Sequence, residues 1–406
     1  MTAGALLVSV LLAQGGTAAQ ISPERIQGLA DEISSSVEAL RGLKFKNKVK
    51  AIIVTPAMAR ETFRAKIQPW EAEQVRFTQK AYVQLGLIPA RTDLLTNYLN
   101  MAETDVLGYY DPATKMLYVL GHVPEDEVRP VIAHELTHAL EDQHFDFQAL
   151  GKKASGDDES VALSALIEGS ATVLMVHYSA RQRRDPDAAR KTEAGDAKRA
   201  ERLKTAPSFV QQSVILPYIL GFTFLLKGMP WMFDNGMPNA DIDEAYAHPP
   251  HSTRHILHPE QYWWGAWRKE PPPVDLPDLS KTLGPGWSEA TTGSIGELGL
   301  AVLTGSHLDL GQADALLPSR WTNDFAIGTS GDLYHHYVNG EKSLTVLLTR
   351  WETLRDAEQF DRALLSRGKY FLRYGAHVLV LAGDVDPAMG PPLATAAMQG
   401  VSYWPK

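Results

Sequence analysis

Residues 131–144 read Val-Ile-Ala-His-Glu-Leu-Thr-His-Ala-Leu-Glu-Asp-Gln-His. On a helix, His134 and His138 project from one face about 40° apart. Two imidazoles at that spacing can reach one zinc ion at roughly 2.0–2.1 Å. Glu135 sits one residue on, about 100° around the helix, beside the metal rather than on it. A zinc ion with an open position brings the pKa of its water toward neutrality, and a neighbouring carboxylate takes the proton. The pattern predicts zinc-dependent hydrolysis with Glu135 as the general base. Val131, Ile132, Ala133, Leu136, Ala139 and Leu140 surround the motif. The helix is therefore expected to be buried, where an imidazole pair needs partners.

A catalytic zinc takes three protein ligands, and two residues compete for the third place. Glu168 stands in Val161-Ala-Leu-Ser-Ala-Leu-Ile-Glu-Gly-Ser-Ala-Thr172, a carboxylate within an apolar helix of small residues. Buried glutamates are rare unless paired or metal-bound. The bland reading of Glu168 is an ion pair with a basic side chain at a helix interface. His144 has the offset of the third histidine in HExxHxxGxxH sequences, but Glu141 occupies the glycine position and favours a continuing helix. Glu168 is the favoured ligand.

Hydrolysis also needs a donor for the developing oxyanion. The run 249–262 holds His251, His255, His258 and Tyr262, and it is expected outside the helices. His258 is the first choice and Tyr262 the second. The competing reading is a proline-bounded turn with polar caps.

The elements that must position these groups follow from pattern. The chain has 406 residues, 44% hydrophobic and 21% charged, which excludes a disordered chain. It has no cysteine, which excludes disulfide scaffolds, thiolate zinc sites and a cysteine nucleophile. A net charge of −9 argues against a nucleic-acid partner. An apolar run across residues 3–13, followed by small residues, suits a secretory signal over 1–19, although no lysine or arginine precedes it. A second apolar stretch, 214–233, contains Lys227, Pro217 and Pro230. It reads as a buried helix, so no stable membrane span is expected in the mature chain. Ser22-Pro23 opens a helix, residues 48–55 form a strand, and 107–120 form two strands around Asp111-Pro112. Helices are expected over 124–145 and 157–182. The charge-rich run 181–204 reads as a solvated connector. Pro271-Pro272-Pro273 with Pro277 marks a linker over 271–284, separating residues 20–270 from a small C-terminal α+β domain at 285–406. Asn339-Gly340 marks a hairpin there.

His134-Glu135-Leu-Thr-His138 followed by Glu168-Gly-Ser-Ala-Thr172 resembles the gluzincin class of zinc metallopeptidases. The segments 134–145, Gly108-Tyr-Tyr-Asp-Pro112, Ser252-Thr253, His258-Pro-Glu260, Trp351-Glu-Thr353 and 356–360 are similar to a largely uncharacterised set of bacterial exported or membrane-associated HExxH proteins. The resemblance spans about residues 100–365. It implies a zincin-like catalytic domain holding Zn2+ through His134, His138 and Glu168, and a substrate-binding edge strand before the motif helix. The strands around Asp111-Pro112 are placed for that role; the plain alternative is a hairpin packed on the helix. The class often braces a histidine with an aspartate four residues after the glutamate. Here that position is Thr172, so the brace must come from elsewhere.

The expectation is an α+β, predominantly helical protein with a smaller C-terminal α+β domain, secreted or periplasmic, acting on a protein or peptide substrate. Two rivals remain: a non-catalytic, zinc-stabilised extracytoplasmic binding protein, and a zinc hydrolase for a non-peptide substrate.

Overall fold

The computed structural model describes residues 21–104, 107–120, 125–154, 156–182, 206–264, 273–306, 308, 313–384 and 386–400. The expected signal segment, most of the charge-rich run and residues 271–272 lie outside the described residues. Helix α1 (Pro23–Arg41) starts as its sequence demands. The Ser22 hydroxyl accepts the Arg25 amide, and Pro23 takes a position that needs no donor. Ile26, Leu29, Ile33, Val37 and Leu40 form its buried stripe. Strand β1 (Lys50–Val54) and helices α2 (Pro56–Lys66), α3 (Pro69–Leu85) and α4 (Leu94–Thr104) follow.

The expected strand pair is present as β2 (Gly108–Asp111) and β3 (Met116–Leu120). Asp111 builds the turn by accepting the Ala113 amide and the Thr114 hydroxyl. In the sheet order β1-β3-β2, β1 runs parallel to β3 and β2 antiparallel to it, so β2 is an edge strand. Helix α5 (Glu125–Phe145), with Pro130 near its start, carries the histidine motif. Short α6 (Phe147–Lys153) leads to α7 (Asp157–Gln182), which carries Glu168.

Helix α8 (Ser208–Leu225) packs along α7 at a crossing made by two glycines. A Cβ on Gly221 would lie 2.1 Å from the Ala165 carbonyl oxygen, and one on Gly169 would lie 2.4 Å from the Gly221 carbonyl carbon. Backbone cannot retreat as a flexible side chain can. Gly221→Ala should therefore cost about 1–3 kcal/mol or more through forced separation of the helices, read as a lowered denaturation midpoint. By length and composition α7 and α8 could each cross a membrane. Here they bury Ala165, Leu166, Leu216, Leu220 and Phe224 in a shared core.

Helices α9 (Asn239–Ala247), α10 (Thr253–Leu257) and α11 (Pro259–Trp263) precede the C-terminal part. That part comprises α12 (Ser280–Leu283), β4 (Ser288–Gly293), α13 (Gly296–Leu303), β5 (Thr329–Asn339), β6 (Lys342–Trp351), α14 (Leu354–Ser366), β7 (Tyr370–Tyr374), β8 (His377–Gly383) and α15 (Gly390–Ala397). Its antiparallel sheet has the order β4-β5-β6-β8-β7. The β5–β6 turn falls at the Asn339-Gly340 signal, with Gly340 at φ 59. One sheet face packs Tyr334, Leu347 and Trp351 with Tyr82 and Leu85 of α3 and Phe360 of α14. The other packs Tyr337, Val346 and Leu379 with Leu393 of α15. Leu276 and Leu279 join that second face, so residues 273–284 pack on the sheet despite a linker-like composition. The architecture is α+β and predominantly helical.

Helix α7 ties the two parts together. Asp157 accepts the hydroxyls of Tyr82 and Tyr334, and Asp158 accepts the amide and hydroxyl of Thr253. Burial raises Asp158 to about 7, with Asp332 and Glu297 adding to the rise against the Thr253 hydrogen bonds. Burial raises Asp332 to about 6, opposed by the amides of Ile295 and Gly296. Raised carboxyl groups bind protons more tightly folded than unfolded. Their stabilisation is full below the unfolded value near pH 4 and is lost as pH rises toward 7. Asp158→Asn should flatten that decline and raise the melting midpoint at pH 7.5 by a few degrees, measured by calorimetry from pH 4 to 8.

Candidate metal centre

Helices α5 and α7 bring His134, His138 and Glu168 together, with one ligand atom from each lying within 4.8 Å of the others. Glu168 Oε2 lies 3.0 Å from His134 Nε2, a hydrogen bond, and 3.3 Å from His138 Nε2. The second contact lacks hydrogen-bond geometry, since His138 Nε2 has no hydrogen-bond partner. The imidazoles meet edge to face, with centroids 4.6 Å apart. His134 is 0%, His138 3% and Glu168 2% exposed, so charge here is poorly screened.

Burial pushes His134 down. Burial also pushes His138 down, but the Glu168 carboxylate overrides it and lifts His138 above its ordinary value. Burial raises Glu168, yet the two imidazoles outweigh that and hold it below the usual range. Among the buried nitrogens, His134 Nδ1 and both of His138 lack hydrogen-bond partners. Native proteins rarely leave such atoms unsatisfied. Two imidazole nitrogens and a carboxylate oxygen converging in a buried space form a donor set that fits a divalent metal ion. Glu168 thus pairs with the motif histidines rather than with a lysine or arginine.

Glu135 is fully buried, and its Oε2 accepts the Tyr110 amide at 2.8 Å. The Leu107 carbonyl accepts from Leu120, and the Asp111 carbonyl accepts from Lys115. By the alternation of an extended chain, the backbone groups of Gly108 and Tyr110 then face the side of β2 away from β3, which is buried. Glu135 lies along that side. The approach needs glycine: a Cβ on Gly108 would lie 3.0 Å from Val131 Cγ1 and 3.7 Å from Glu135 Cγ.

The residues after the motif fasten it. Asp142 accepts the Tyr110 hydroxyl at 2.7 Å, the Lys115 ammonium at 2.6 Å and the Phe147 amide at 2.9 Å. The Lys44 carbonyl oxygen lies 2.8 Å from His144 Nε2, on the continuing helix and away from the ligand set. His177 stacks on Phe233 with centroids 4.0 Å apart. Thr172 Oγ1 is buried and has no hydrogen-bond partner, so residue 172 does not brace either imidazole.

The contacts of the two residues expected to stabilise an oxyanion run elsewhere. Glu297 lies 2.8 Å from His258 Nε2. Burial lowers His258, but the Glu297 carboxylate outweighs it and raises the ring's pKa. The Tyr262 hydroxyl donates to the His248 carbonyl. The residue that the structure places beside the ligands instead is Tyr218 of α8. Its ring is partly buried, 6.2 Å from that of His134 and inclined at 22°. Tyr218 precedes Gly221 by three residues, so the glycine crossing brings its helix face onto the centre. The only sequence signal for it is a phenol within an apolar stretch.

A cavity of about 700 Å³ lies at the start of α7, lined by Asp158, His251, Arg254, Glu297 and Asp332 among others. Its carboxylates serve Thr253, His258 and the amides of Ile295 and Gly296. The group that could hold a metal ion, His134 with His138 and Glu168, is not among the residues lining this cavity. No family model, curated protein or solved structure matches the chain.

Proposed function

We propose that the protein is an exported zinc metallopeptidase with a zincin-like catalytic domain of the gluzincin kind. The observation that carries this reading is the meeting of His134, His138 and Glu168 in one buried cluster, with Glu135 one residue from His134. His134, His138 and Glu168 would hold the metal, and zinc suits two imidazoles with one carboxylate. Zinc, when bound, acidifies water and polarises a carbonyl. Glu135 takes the proton from the attacking water and passes it to the leaving amine, and the Tyr110 amide keeps its carboxylate oriented. The Gly108 and Tyr110 carbonyls, which lie on the side of β2 away from β3, would pair with an extended peptide and set the scissile bond beside Glu135. Tyr218, rather than His258 or Tyr262, donates to the oxyanion.

A second reading, a purely structural metal site, is favoured by the near-complete burial of the ligands. The test is incubation of the zinc-loaded protein with a peptide library and, separately, with small esters and amides. The proposal expects peptide cleavage that a chelator stops and zinc restores. Cleavage of the small substrates alone points to a non-peptide hydrolase, and no cleavage at all points to the structural site. Tyr218→Phe keeps the ring and removes the donor. It should lower kcat by about 10²-fold, the scale for one oxyanion donor, with KM nearly unchanged.

A further inference from the structure

Neither ligand imidazole has a hydrogen bond at Nδ1, and Thr172 supplies none. The support for the ligand positions must then come from the helices that carry them. Ser170 lies two residues beyond Glu168, and Glu141 lies three beyond His138. The Ser170 hydroxyl donates to Glu141 Oε1 at 2.6 Å, joining α7 directly to α5. Arg41 Nε, from the last turn of α1, donates to the same oxygen at 2.6 Å. The Tyr246 hydroxyl of α9 donates to Oε2 at 2.9 Å. Arg41 also donates to Asp243 at 2.5 Å. The Arg41 and Glu141 side chains are fully buried. Four helices therefore meet at one carboxylate, a turn away from the metal ligands.

A buried ion pair is weak evidence for stability, because hydrophobic side chains of equal volume often serve as well. What such a pair supplies is fixed geometry, and a ligand set works only when held to a fraction of an ångström. We infer that Glu141, clamped by Arg41, Ser170 and Tyr246, is a positioning residue that sets the spacing of α5 and α7 and thereby the metal affinity. Helix α1 then helps to support the metal ligands through Arg41. This inference rests on the metal-centre reading above.

Its test is zinc affinity by chelator competition, with the melting midpoint of the metal-free protein measured alongside. Wild type would be compared with Ser170→Ala and with the double variant Arg41→Met/Glu141→Leu, which leaves neither partner of the pair charged. The expected result is about 10- to 100-fold weaker zinc binding in both variants. The metal-free midpoint of Ser170→Ala should stay near that of wild type, a split that loss of general stability would not give. Ser170→Ala alone decides should the double variant not fold. Zinc bound as tightly as in wild type overturns the clamp alone. Failure of the wild-type protein itself to bind zinc overturns both the clamp and the metal centre.

Discussion

Glu135→Gln is expected to abolish peptide hydrolysis while leaving the metal bound. Glutamine keeps the shape of the side chain, and its carbonyl oxygen can still accept the amide of Tyr110, which now lies 2.8 Å from Glu135 Oε2. It cannot take a proton from water at neutral pH. General-base assistance is worth about 10²–10⁴-fold, so kcat should fall at least that far. Zinc content should match wild type, because Glu135 is not among the three converging ligand residues. Turnover kinetics beside metal analysis makes the comparison. An enzyme with unchanged kcat would remove Glu135 from the chemistry.

Glu168→Ala should have the larger structural consequence. The carboxylate is the shared partner of both imidazoles, at 3.0 and 3.3 Å. Removing it leaves the two buried rings, which meet edge to face, beside an unfilled volume. It also strips His138 of the counter-charge that raises its pKa. Removing one partner of a buried charged pair typically costs about 3–5 kcal/mol. The metal-free variant should therefore melt well below wild type, and the purified variant should carry no zinc. Elemental analysis and a thermal melt read the two effects separately. Full zinc occupancy in this variant would show that the third ligand lies elsewhere.

Much of this arrangement was legible in the chain. The alternation and turn chemistry of residues 107–120 specified two strands, and the residue spacing in 131–144 specified a buried helix with both histidines on one face. Glu168 stood out because a lone carboxylate among Ala, Leu, Ile and Ser needs a partner, and its partners are the two histidines. His258 and Tyr262 were chosen for chemical type and an expected place outside the helices, whereas Thr253–Leu257 and Pro259–Trp263 are short helices, and neither criterion says which pocket a side chain faces. Glu297 and the His248 carbonyl hold them instead. The nearness of Tyr218 to His134 was hidden because it depends on a helix crossing. That crossing is set by Gly169 and Gly221, which are 52 positions apart in sequence. The Glu141 hub was hidden for the same reason, since its partners Arg41, Ser170 and Tyr246 come from three other helices. Local pattern reports periodicity and turns; long-range pairing is decided by packing. The stretch 273–284 makes the same point, where proline content suggested a linker but Leu276 and Leu279 are in the core.

The most direct measurement is anomalous X-ray diffraction at the zinc edge from crystals of the zinc-loaded protein. The account predicts one strong peak within bonding distance of His134 Nε2, His138 Nε2 and a Glu168 carboxylate oxygen, with Glu135 beside it and not bonded. No peak there, or zinc held by other residues such as the carboxylates around the 700 Å³ cavity, would contradict it.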